Sequence, residues 1–186
     1  EMMIGYFDMC YADVDLTDPQ HGPRTAKFLA ANKDGAQMSD ELRTLAGEAT
    51  DGDKAFQAFA VELRKTVPQL DRVCITTVHE GQLTVEMVAQ EAVFKRVVGG
   101  VKIQVDADGM ALTEYAGGDK TQVNHDITRM KPGDMRFMAR RFASSVHIPQ
   151  PHDEKPATVN FWSSETAGFP PEAVRLLEDV AAAIEN

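Results

Sequence analysis

The residues best suited to chemistry are three amphipathic side chains near the end of the chain. His147 alternates with Val146 and Ile148, the period of two expected of a β-strand with two different faces. Asn160 and Trp162 take the corresponding alternate positions in the next such segment. A merely solvated strand face more often carries Lys, Glu and Thr, so we expect these three to face something polar. His147 could respond to pH, hold an anion or be a neutral side chain bonded to a loop, and Trp162 could simply cover the sheet.

A second candidate is the adjacent pair His125 and Asp126. Together with His21 it suggests the ligands of a metal-dependent phosphohydrolase. Those enzymes place the pair on a helix, however, whereas residues 122–127 have strand-like patterning. Two other interpretations are open: His125 ends a strand while Asp126 caps the next loop, or the pair lines a pocket.

The stretch from residue 93 to residue 142 is long for a connection with so little regular patterning, and such stretches are usually functional. Near its end, apolar Phe137, Met138 and Phe142 stand among three arginines. Apolar walls with a few polar groups suit a small-ligand site, although the same side chains could fill the space themselves. The predicted ligand contacts are Tyr115, His125, Asp126, Phe137, Met138, Phe142, Ser145, His147, Asn160 and Trp162.

The composition limits the class of protein. With 186 residues, 43% of them hydrophobic and 26% charged, the chain resembles ordinary soluble domains. A formal net charge of −10 argues against nucleic-acid binding, and neither a membrane span nor a signal peptide is visible. Two cysteines are too few for a disulfide framework, so we expect a cytoplasmic setting. Because the chain begins with Glu1, it could be part of a longer protein.

Periodicity and turn signals predict helices first, strands in the middle and one helix at the end. The predicted helices cover residues 1–14, 17–31, 39–49, 55–67, 109–115, 135–142 and 171–184, with Gly22 and Pro23 weakening the second. The predicted strands cover residues 72–78, 83–88, 101–105, 121–127, 144–149 and 157–163. This order favours an α+β fold in which a central antiparallel sheet has the terminal helices on one face and the irregular middle on the other.

The last strand and helix should share a core. Ala173, Leu176, Leu177, Val180 and Ile184 fall on one side of the closing helix, which must be covered. The alternate apolar positions of the preceding strand provide the simplest cover.

Four segments resemble the GAF domain family, whose members are small-molecule-sensing modules. Residues 142–149 (FASSVHIP) look like that family's strand that runs into a proline, and residues 157–163 (ATVNFWS) look like its next strand. Residues 168–177 (GFPPEAVRLL) look like the start of its closing helix, and residues 122–127 (QVNHDI) like the strand before its pocket loop. The resemblance covers about residues 51–186 and is carried by order and spacing together.

The resemblance implies a profilin-like sheet with a ligand pocket on the face opposite the terminal helices. It also implies a dimer formed through those helices. The pattern of cyclic-nucleotide-binding members is not apparent, and the middle stretch has no cysteine at which bilin-binding members attach a chromophore. Free methionine sulfoxide reductases of this fold use several cysteines, and only Cys74 lies in the resembling part, which argues against that enzyme.

We therefore predict a helical N-terminal lead over residues 1–50 and a GAF-like sensory domain over residues 51–186. The domain would bind an unidentified small molecule, with no cofactor specified, as part of a dimeric signalling protein. No catalytic activity is expected, because no nucleophile-and-base pair, phosphate-binding loop or metal-ligand cluster is apparent. A ligand-free dimerisation module is the main alternative, and a metal-dependent phosphohydrolase is a remote one.

Overall fold

The computed structural model of the chain describes residues 22–90, 101–104, 118–127, 142–151 and 154–184. Three helices come first: α1 (Pro23–Ala31), α2 (Asp40–Gly47) and α3 (Asp53–Thr66). The strands are β1 (Arg72–His79), β2 (Gln82–Gln90), β3 (Val101–Gln104), β4 (Gln122–Asn124), β5 (Ser144–Pro149) and β6 (Ala157–Ser163), followed by helix α4 (Pro171–Ala183). The helices predicted at residues 1–14 and 109–115, and nearly all of the one at 135–142, lie outside the described residues.

The six strands form one antiparallel sheet in the order β3-β2-β1-β6-β5-β4. The last strand, β6, therefore lies in the interior of the sheet, between β1 and β5. Every residue of β6 is buried, so both faces of the sheet are covered there. The predicted α+β fold with a central antiparallel sheet is confirmed.

One face of the sheet packs against the helices. Val159 and Phe161 of β6 belong to the same buried cluster as Leu176, Leu177 and Val180 of α4, as their spacing predicts. Full burial of a side chain of this size contributes roughly 1.5–3 kcal/mol. This helix-side core fixes α4 on the sheet and leaves the opposite sheet face for other contacts.

The helices before residue 50 belong to that core as well. Phe28 of α1 and Leu42 of α2 lie in the same cluster, so helices on both sides of the predicted boundary share one core. Helix α2 begins as predicted, with Ser39 Oγ accepting from the Leu42 N–H at 3.1 Å. Gly22 and Pro23 were expected to weaken the helix, but helix α1 begins at Pro23. Proline is tolerated there because the N–H groups of the first helical turn have no partner within the helix, so its missing N–H costs no hydrogen bond.

Strand β4 is shorter than its pattern predicts. Its ladder ends at Asn124, and the next carbonyl, that of His125, accepts instead from the N–H of Ala167 at 2.9 Å. The strand-like alternation of the sequence therefore continues to residue 127, although the strand itself ends at Asn124. None of the helices in the described ranges has the length and apolar character needed to cross a bilayer.

Candidate functional site

The sheet face opposite the helices carries a set of mostly polar side chains, here called the polar face. Its members each expose 1% of their surface or less, and they are Cys74, Thr76, Asn124, Ser145, His147, Thr158, Asn160 and Trp162. The strand register places Cys74, Asn160 and His147 side by side on β1, β6 and β5. Since Trp162 follows Asn160 by two positions, it lies on the same face, as the alternation predicts.

A continuous chain of hydrogen bonds crosses the polar face from β4 to β1. Asn124 Nδ2 donates to Ser145 Oγ at 3.2 Å, and Ser145 Oγ lies 2.8 Å from His147 Nε2. His147 Nδ1 lies 2.7 Å from Asn160 Oδ1, and Asn160 Nδ2 donates to Thr76 Oγ1 at 3.0 Å. Side chains of four neighbouring strands are therefore held in one fixed arrangement.

The partners of Asn160 assign the tautomer of His147. Asn160 Nδ2 donates to Thr76 Oγ1 and to the carbonyl of Thr158, so its Oδ1 is the atom that faces the imidazole. An amide oxygen only accepts, so His147 Nδ1 carries the hydrogen. Nε2 is then the acceptor and takes the hydroxyl hydrogen of Ser145.

His147 is neutral near neutral pH. Burial lowers its pKa to about 4, and the hydrogen bond with Asn160 offsets only part of that effect. A neutral imidazole does not attract an anion as a charged one would. Of the interpretations drawn from the sequence, the structure supports a neutral histidine, whose two ring nitrogens lie within hydrogen-bond distance of the strand side chains Ser145 and Asn160.

The chain of hydrogen bonds adjoins an aromatic group. The Trp162 ring meets His147 edge-on with centroids 5.5 Å apart, and it stacks on Phe142 at 6.1 Å. The guanidinium carbon of Arg72 lies 4.8 Å from the Phe142 ring centre and 5.4 Å from that of Trp162. Gln90 Oε1 accepts from Arg72 Nη2 at 2.7 Å. The polar face thus combines neutral hydrogen-bonding groups with a stacking surface, and the Arg72 cation lies beside it.

Cys74 lies on the polar face, 3.6 Å from Asn160 Nδ2. Burial raises the pKa of its thiol to about 12, against the lowering influence of Arg72 and of the hydrogen bond from Asn160. The thiol is therefore protonated at neutral pH and is a weak nucleophile.

Sequence reasoning missed five contributors: Arg72, Cys74, Thr76, Asn124 and Thr158. The alternation of Cys74 and Thr76 with apolar Val73 and Ile75 was visible and could have placed them on a second face. No local pattern shows that β1 lies beside β6. That pairing joins residues far apart in the sequence: Cys74 and Asn160 are separated by 86 positions.

The structure brings together five of the predicted ligand contacts, namely Phe142, Ser145, His147, Asn160 and Trp162. His125 and Asp126 lie just beyond the end of β4. Tyr115, Phe137 and Met138 fall outside the described residues. Within the described ranges no cluster of three or more His, Cys, Asp or Glu side chains is arranged to hold a metal ion.

No model of a known protein family matches the sequence, and no curated protein matches it either. Solved structures do match. The type II free methionine-R-sulfoxide reductase of Thermoplasma acidophilum is 19% identical, with a TM-score of 0.50, over 77% of this chain and 90% of that one. The GAF domain of an Acinetobacter phosphoenolpyruvate-protein phosphotransferase is 12% identical, with a TM-score of 0.54, over 79% and 92%. The GAF domain of a Bacillus halodurans two-component sensor histidine kinase is 14% identical, with a TM-score of 0.50, over 68% and 88%.

These similarities correct one prediction. The expectation of no catalytic activity is contradicted, because structures with this fold include a methionine-R-sulfoxide reductase. The fold is therefore compatible with catalysis as well as with sensing. Lack of a recognisable catalytic motif was an insufficient reason to exclude an enzyme.

Proposed function

Because the chain has the GAF fold, we propose that it is a sensory or regulatory domain that binds a small molecule against the polar face. The observation that carries the proposal is the buried hydrogen-bonded chain from Asn124 to Thr76. Polar groups cost free energy when buried and only recover it through satisfied hydrogen bonds. Apolar residues would cover a sheet more simply, and departures of this kind tend to occur at functional sites.

The chemistry of the polar face favours a ligand that is recognised by hydrogen bonds and stacking. His147 is neutral, its neighbours are hydroxyl and amide groups, and Trp162 and Phe142 offer aromatic surface. Arg72 is already engaged with Gln90 and with both rings. We therefore expect an uncharged or weakly charged molecule whose binding displaces some of these contacts.

A dimer through the terminal helices is part of the proposal, and the described helices restrict how it forms. Among the described residues of α1 to α4, Val61 on α3 is the one large hydrophobic side chain that is exposed. The interfaces of stable dimers are usually more apolar than a helix surface with one exposed large hydrophobic side chain. A dimer formed through α1 to α4 would therefore depend on polar contacts, and light scattering at several protein concentrations would measure it.

The first experiment is to purify the protein natively, denature it and identify what is released by mass spectrometry. A stoichiometric organic molecule supports sensing. Its absence, with no change of melting temperature across a metabolite panel, favours the ligand-free dimerisation module. Stoichiometric metal together with phosphodiesterase activity would favour the hydrolase.

Reduction of free methionine sulfoxide is a second candidate, because a neighbour with that named activity shares the fold and Cys74 lies on the polar face. The raised pKa of Cys74 weighs against it, since the thiolate is the reactive species. The assay is consumption of free methionine-R-sulfoxide with a dithiol reductant, compared with Cys74→Ser. Turnover that disappears in the variant would establish the enzyme.

A further inference from the structure

The loop between β6 and α4, residues 164–170, contacts the first turn of α1. The carboxylate of Glu165 accepts from the main-chain N–H of Arg24 at 3.0 Å and from that of Thr25 at 3.2 Å. A helix leaves the N–H groups of its first turn without internal partners, and negative charge is favourable there. An added Cβ on Gly22 would collide with this carboxylate, which shows how closely Glu165 fits. Glu165 thus fixes the point at which α1 begins.

The same loop holds the side chain of Arg24. The guanidinium donates to both carboxylate oxygens of Asp71, at 2.6 and 2.9 Å, and to Ser164 Oγ at 2.7 Å. The N–H of Ser164 also donates to Asp71, at 2.7 Å. Burial raises the pKa of Asp71, but the hydrogen bonds from Arg24 and Ser164 outweigh it and leave the pKa below its usual value. A charged carboxylate therefore joins α1, the loop and the start of β1.

On its other side the loop is tied to β4 and β5. Ser144 Oγ donates to the carbonyl of Glu165 at 2.6 Å and accepts from the N–H of Gly168 at 3.1 Å. The N–H of Ala167 donates to the carbonyl of His125 at 2.9 Å. These bonds hold the loop to the strands that begin the hydrogen-bonded chain of the polar face.

Each strand residue that contacts the loop is the direct sequence neighbour of a residue of the polar face. Ser144 precedes Ser145, and His125 follows Asn124; Ser145 and Asn124 form the first bond of the chain. The loop has little room to absorb a shift of these strands. A Cβ on Gly168 would stand 2.9 Å from Ser144 Oγ, closer than Cβ atoms are normally found.

We propose that the β6–α4 loop couples the polar face to α1, with Glu165 as the positioning residue. A displacement of β4 and β5 changes the bonds of Ser144 and His125 to the loop, and the loop then changes its hold on the first turn of α1. The first turn of α1 is thereby linked to events on the polar face. This coupling goes beyond the proposed function, because it concerns how the sheet is connected to α1 and not what the polar face binds.

The test is hydrogen exchange of the ligand-free protein in two variants that perturb the loop from opposite sides. Ser144→Ala removes a contact on the sheet side and should raise exchange of the Arg24 and Thr25 amides about tenfold, although Ser144 does not bond to either. Glu165→Ala removes the carboxylate that accepts from the first turn of α1 and should raise exchange of the Ala167 amide. The matched control is Thr121→Val, which removes an exposed bond to Glu178 of α4 and should leave α1 unchanged.

Unchanged exchange in α1 for Ser144→Ala would overturn the proposal. An equal rise in α1, α2 and α4 would overturn it as well, because that pattern reports general destabilisation. If Ser144→Ala does not fold, Glu165→Ala decides alone: unchanged exchange of the Ala167 amide would mean that the two sides of the loop are independent, and the proposal would fail.

Discussion

His147 should make the stability of the domain depend on pH in the mildly acidic range. The unfolded chain has a histidine pKa near 6.5, whereas burial lowers that of folded His147 to about 4. Between these values the unfolded state binds more protons than the folded state. The free energy of unfolding therefore falls as pH decreases through this window.

The size of the loss follows from the shift. Each pKa unit corresponds to about 1.4 kcal/mol, so acidification to about pH 5 should cost about 2 kcal/mol and acidification below pH 4 about 3 kcal/mol. Small domains are stable by only about 5–15 kcal/mol. With a typical urea dependence of about 2 kcal/mol per molar, the unfolding midpoint should move down by about 1 M at pH 5.

Urea unfolding of the wild type and His147→Gln from about pH 7.5 to 5 measures this effect. Glutamine can still bond to Ser145 and Asn160 but does not titrate, so the variant should show a much flatter dependence whatever its absolute stability. Asp71, whose pKa is lowered, contributes its own loss only as pH falls below about 4. Equal losses in wild type and variant between pH 7.5 and 5 would refute the assignment of this dependence to His147.

Three further outcomes are expected. Asp71→Asn should lower the free energy of unfolding by about 2 kcal/mol in urea at neutral pH, because Arg24 loses a buried charged partner; a change below 0.5 kcal/mol would contradict this. Gly168→Ala should cost roughly 1–3 kcal/mol in the same assay, since its Cβ would crowd Ser144, and an unchanged midpoint would count against the tight loop. In a Cys10→Ser background, the Cys74 thiol should resist labelling at pH 8 until the protein unfolds. With its pKa raised to about 12, only about one Cys74 thiol in ten thousand is ionised at that pH. Rapid labelling of the folded protein would show that Cys74 is not buried.

The last hairpin is the part of the fold that its sequence predicts best. The strands at residues 144–149 and 157–163 have the predicted bounds, because both keep a strict alternation between a helix-packed and a polar face. The buried side of α4 was predictable for a similar reason, since Leu176 and Val180 repeat at helical spacing. Local periodicity determines which face a residue occupies, and that was enough to group His147 with Asn160 and Trp162.

The remaining members of the polar face depend on long-range pairing. Cys74 and Thr76 meet Asn160 only because β6 inserts between β1 and β5, which no periodicity specifies. The ties of the β6–α4 loop to α1 were equally hidden, since Glu165 bonds to residues about 140 positions earlier in the chain. The error about catalysis had another origin: one fold serves sensors and enzymes, so the function depends on the site.

The most direct measurement of ligand binding uses Trp162, the only tryptophan of the chain, whose fluorescence reports on the polar face alone. The molecule released from natively purified protein would be added back to ligand-free protein while this emission is followed. A saturable change in Trp162 emission with one molecule bound per chain is the predicted result. Release of no molecule, or rebinding that leaves the emission of Trp162 unchanged, would contradict a ligand site on the polar face.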